Sequence, residues 1–200
     1  MSKTTLRFVL PTVAVAGLLA GCGGAGVQDR QATPAPESPT REQTRHNDAD
    51  IAFAQQMIPH HQQAVDMAKL VPSRSSNRQV LGLAKAVERA QTPEIRQLSG
   101  WLNRWGAPAS GGHGAHGGHA MTGPADMMST HDLDRLGSLR GREFDRAWLR
   151  MMIEHHRGAI AMARTQLDRG ADPEARQLAR TIIDTQQAEI DTMTALLGDG

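Results

Sequence analysis

The sequence predicts an all-α protein, a four-helix bundle built from two duplicated helical hairpins, and three observations lead there. A block of residues recurs at a constant offset of 95, which takes His60 to His155. Within each block the apolar residues step by three and four, the spacing that lines one face of a helix. Aromatic residues make up 3% of the 200-residue chain and tyrosine is missing, which removes many of the residues that favour strands.

The chain opens with an address. Lys3 and Arg7 flank the start of an apolar run over residues 8–20, too short to span a bilayer comfortably, so residues 1–21 read as a secretory signal peptide. The run ends in Leu19-Ala20-Gly21-Cys22, which resembles the bacterial lipobox, where the cysteine becomes the lipidated first residue. On this reading the single cysteine, Cys22, carries the lipid, a palmitate-type anchor to the extracytoplasmic face of the cell membrane, and is lost to disulfides and metals. Residues 22–46 are rich in Gly, Pro, Thr, Ser and Gln and form a disordered tether. The folded domain is expected over 47–200: unit one at 47–105, a link at 106–130 and unit two at 131–200.

In unit one, Phe53, Met57, His60/His61, Ala64 and Met67/Ala68 share a helical face, with Asn47 or Asp48 as N-cap and Pro72 as a stop. A second helix over residues 77–104 carries Val80, Ala84, Val87, Gln91, Glu94, Leu98 and Trp101 in four-three alternation. Unit two repeats the plan. Its first helix spans residues 141–169 and ends at Gly170; its second starts at Asp172-Pro173-Glu174 and carries Ala175, Ala179, Ile182, Gln186, Glu189, Met193 and Leu196. Two antiparallel hairpins make the bundle. The Gly-rich link holds His113, His116, His119 and Met121, which have no packing to do there and suit metal capture.

Composition narrows the function. Lys+Arg number 22 and Asp+Glu 21, interleaved along the chain, so there is no electrostatic footprint for nucleic acid. Met 10 and His 9 against Cys 1 point to thioether and imidazole donors without a thiolate cluster. Both units place His-His on one inner stripe and Gln-x-x-Glu on the other. Buried imidazole and carboxylate oppose folding by several kcal/mol unless paired or metal-bound. Glu94 and Glu189 are positioned to accept from imidazole N–H or to bind an ion directly. A Glu–His pair that only holds two helices in register would need no metal. Pro59, facing Glu154 in the other unit, removes an N–H and is expected to bend its helix at the doublet.

These residues resemble the family catalogued as domain of unknown function 305, marked by Met-Ile-x-His-His-x-x-Ala-x-x-Met-Ala and a following Gln-x-x-Glu-Ile. Residues 57–68 with 91–95 match it, and 152–163 with 186–190 match it again. The likeness covers residues 48–197 and implies a ferritin-like bundle, frequent export in bacteria, and copper binding in some members. Carried over position by position, it implies a metal set of Met57, His60, His61, Met67 and Glu94, with Met152, His155, His156, Met162 and Glu189. The loop cluster lies outside the shared motif.

Three functions follow from these observations. The first is a membrane-anchored protein that sequesters or hands on copper, since imidazole suits Cu(II) and thioether suits Cu(I). The second is a ferritin-like metal-dependent oxidase, disfavoured because the helical repeats contain no Glu-x-x-His. The third is a metal-free structural or interaction lipoprotein. Zinc would also accept His and Glu, iron would suit the ferritin-like plan, and a second copy of the chain forming a homo-oligomer would complete an unfinished site.

Overall fold

The computed structural model describes residues 46–109 and 127–198, and all of its regular elements are helical. Four long helices form the bundle: α1 (Asp48–Leu70), α2 (Arg78–Trp105), α4 (Gly141–Arg169) and α5 (Pro173–Gly198). Helix α3 (Thr130–Ser138) is an extra short helix that sequence periodicity did not announce. Its signal is local: Ser129 Oγ accepts from the Asp132 N–H, and Leu136 is buried. Among the described residues no helix is long and apolar enough to cross a membrane.

Helix α1 starts with a capping box in which the Asn47 side chain accepts from backbone N–H groups while Asp50 accepts from the Asn47 N–H. It then continues through Pro59, an exposed residue that offers the Gln55 carbonyl no N–H. Helix α2 ends at Gly106, whose φ of 68° is left-handed, with the Gly106 N–H bonded back to Asn103. Gly170 ends α4 by another means. Its φ is −72°, and what demands glycine is space: a Cβ there would run into the Gln166 side chain and lie 2.7 Å from Asp50 Oδ1.

Each hairpin packs internally, α1 on α2 and α4 on α5, and α1 against α4 joins them. The core falls into two apolar clusters. One gathers Met67, Val80, Phe144, Trp148, Met152 and Met193; the other gathers Phe53, Met57, Leu98, Trp101, Ala159 and Ile182. The first half of α1 therefore meets the second half of α4, an antiparallel crossing, and the His doublets fall between the clusters. The Trp148 indole N–H donates to the Met67 carbonyl at 3.1 Å and locks one end of that crossing. Gln55 Nε2 donates to the Pro108 carbonyl at 3.0 Å, while the Gln63 amide exchanges two hydrogen bonds, 2.8 and 2.9 Å, with the Met128 backbone.

The repeats differ in their helix-end ties. Asp50, fully buried, accepts from the N–H groups of Ala171 and Asp172 and from Gln166. Its counterpart Asp145 is also buried, but its Oδ1 makes no hydrogen bond. Asp50→Ala strands several donors, so it is expected to lower stability by about 3 kcal/mol or more. Asp145→Ala is expected to cost less than about 1 kcal/mol. Urea denaturation of the two variants checks the difference.

Candidate metal centre

Helices α1 and α4 bring His60, His61, His155 and His156 together at the middle of the bundle, all with 0% exposure. Alanines at 64 and 159, a turn beyond each doublet, leave the space that two facing rings fill. The His60 and His155 rings stack across the junction between the repeats, with centroids 3.7 Å apart and planes tilted by 35°. The outer member of each doublet is held by the neighbouring helix: His61 Nε2 lies 2.7 Å from Glu94 Oε2, and His156 Nε2 lies 2.7 Å from Glu189 Oε2. A carboxylate only accepts, so against an ionised Glu each Nε2 carries the hydrogen.

Burial dominates the electrostatics. Desolvation, helped by the neighbouring His61 and His156, takes the His60 pKa from 6.5 down to about 3. His155 is likewise pushed well below its ordinary value, by burial first and by His60 next. The nearby His60 carbonyl opposes that shift weakly, although neither His155 ring nitrogen makes a hydrogen bond. Both rings are therefore neutral near pH 7, the form in which imidazole binds a metal.

The polar accounting is one-sided. Among the described residues twelve buried side-chain N and O atoms lack a hydrogen-bond partner, and nine of them belong to the four histidines, Gln91 and Gln186. Natural cores leave few such atoms, and an unpartnered cluster calls for an explanation. Met57 and Met152, both fully buried, sit one turn before the doublets. Met67 and Met162 lie about 9–10.5 Å beyond the doublets along their helices. Met67 is buried in the cluster with Trp148, and Met162 is half-buried. The structure thus gathers four histidines and two glutamates, with Met57 and Met152 one turn before the doublets and Met67 and Met162 about two turns after them. Among the described residues no three His, Cys, Asp or Glu side chains converge as a ready-made metal cage. Cys22, His113, His116, His119 and Met121 lie outside the described residues.

Gln91 and Gln186 were visible in the sequence as polar interruptions of an apolar stripe, yet their residue type does not single them out as donors. They are buried at 1% and 3% exposure, each one helical turn before the glutamate that pairs with His61 or His156. On the solvent side, Glu94 lines a groove between α2 and α5 together with Pro93, Gln97, Pro173 and Gln177.

Fold and site together define a class, helical bundles with a cluster of buried histidines at the core midplane. The chain belongs to the family described as domain of unknown function (DUF305), which matches residues 50–197. A Streptomyces coelicolor protein of that family superposes with a TM-score of 0.69 at 31% identity, covering 76% of this chain and 93% of the other. A Deinococcus radiodurans DUF305 fragment gives 0.68 at 35% identity, covering 78% and 99%. CopM in its Cu(II)-bound form gives 0.64 at 33% identity, covering 75% and 96%. A shorter match, 42% identical over 55 residues, is to uncharacterized protein L153 of Acanthamoeba polyphaga mimivirus. It covers 28% of this chain, and the chain spans about a third, 36%, of that relative's length.

The depressed His60 pKa sets a pH dependence. In the unfolded chain the ring takes up a proton near 6.5, in the fold only near 3, so acid favours unfolding across that window. The stability of the metal-free protein is expected to be level above about 6.5 and to fall progressively towards 3. Thermal melts from pH 7.5 to 4 test this, and His60→Gln/His155→Gln should flatten the slope.

Proposed function

We propose that this protein is an extracytoplasmic, membrane-anchored metal-binding protein that sequesters or hands on copper through its Met/His centre. The observation that carries the reading is the group of four fully buried imidazoles, six of whose eight ring nitrogens make no hydrogen bond. Borderline imidazole with soft thioether, and no thiolate, suits both Cu(II) and Cu(I). The copper-bound structure of CopM supports the choice of ion.

In this account His60, His61, His155 and His156 bind the ion in one centre shared by the two repeats. Met57 and Met152 supply thioethers to the reduced form. Glu94 and Glu189 act through the imidazoles they hold, fixing ring orientation and raising basicity. Glu94, which also lines the outer groove, gives an incoming cation a carboxylate to meet before His61. Because His60 and His155 stack, loading requires their rings to turn out of the stack. Met67 and Met162 belong to the packing that surrounds the centre. His113, His116, His119 and Met121 form a weaker capture site, and lipidated Cys22 holds the protein at the cell membrane.

The His61–Glu94 and His156–Glu189 pairs at 2.7 Å favour a second reading, in which they only specify packing. Copper titration of the purified protein, aerobic and anaerobic, separates the two. High-affinity uptake that His60→Ala/His155→Ala weakens by more than about 100-fold is expected. Replacing His113, His116 and His119 should lower the stoichiometry and leave that high-affinity step intact. No uptake by the wild type would favour the metal-free scaffold, while turnover of an electron donor with oxygen would indicate an oxidase. For the anchor, Cys22→Ser is expected to abolish palmitate labelling and release the protein from the membrane fraction.

A further inference from the structure

Gln91 and Gln186 are buried amides with no task in the fold. Both Gln91 Nε2 and Oε1, and Gln186 Oε1, are enclosed without a hydrogen-bond partner. An amide in that condition opposes folding, and leucine, close to it in size, would fill the place without the penalty. Apolar residues occupy the same stripes above and below: Ala84, Val87 and Leu98 on α2, and Ala179, Ile182 and Met193 on α5. The fold would be served by continuing them.

Position supplies the rest. Each glutamine lies one turn before the glutamate that holds a histidine, Gln91 before Glu94 and Gln186 before Glu189. The two repeats have diverged around the centre, with Pro59 opposite Glu154, Gln63 opposite Gly158 and Pro93 opposite Ala188, yet carry the same amide. A carboxamide offers both a donor and an acceptor, so it can serve an imidazole or a ligated ion in whichever sense the site requires.

We propose that Gln91 and Gln186 are positioning residues of the ion centre, held in the core against the interest of the apo fold because they orient the donors once an ion is bound. The inference rests on the metal-binding reading above. It places a stability–function conflict at two named positions.

The test compares the wild type with Gln91→Leu, Gln186→Leu and the double variant. Each is measured by metal-free thermal melting, by Cu(II) titration against a competing chelator, and by EPR of the Cu(II)-loaded protein. The expected result is a metal-free melting temperature raised by about 2–8 °C in the double variant. Its Cu(II) affinity should fall about 10- to 100-fold, with an altered EPR spectrum and intermediate single variants. A lowered metal-free melting temperature, or leucine variants that do not fold, would assign the amides to the fold and overturn the inference. Unchanged affinity and spectrum would overturn it as well while leaving the metal-binding reading standing. No Cu(II) uptake by the wild type would remove both together.

Discussion

Everything in this bundle is arranged around four imidazoles closed off from water. Burying them is expensive, because two of the four rings make no hydrogen bond at all and the other two are held at one nitrogen only. The apolar clusters on either side carry the compensation. Trp148 and Phe144 dominate one and Trp101 and Phe53 the other, and they clamp the α1–α4 crossing above and below the doublets. The alanines beside the histidines then become intelligible as the space that the stacked rings require.

Duplication supplies a near-symmetric frame, and the departures from symmetry fall outside the imidazole cluster. Asp50 ties the start of α1 to the turn after α4, whereas Asp145 leaves one oxygen unpartnered. Gln63 grips the backbone of Met128, and the equivalent position on α4 is a buried glycine, Gly158. The two outer faces have thus taken on separate duties. The inner face keeps the His–Glu pair in both halves, with one distance of 2.7 Å on each side.

Much of this was legible in the residues. The 95-residue offset and the three-four spacing place the four long helices, and a capping residue such as Asn47 places the start of the first, because these signals are local. Helix α3 was not legible, since its nine residues offer only about two and a half turns of periodicity beside a Gly-rich stretch. Gly170 reads as a helix stop for its backbone freedom, but its need is for room beside the Gln166 side chain and Asp50, and Asp50 lies 120 residues away in the chain. The stacking of His60 on His155 was equally hidden. Periodicity assigns faces within one helix and says nothing about the depth at which two helices cross. The glutamines were visible as interruptions, and only their burial without partners shows their weight.

The central claim is that both repeats contribute imidazoles to one ion. Anomalous diffraction at the copper edge, on crystals of the copper-loaded protein, tests it most directly. The account predicts a single strong peak between α1 and α4 at the level of the doublets, within bonding distance of histidine nitrogens from both units. Two separate peaks, each touching one repeat alone, or copper bound only away from His60 and His155, would contradict it.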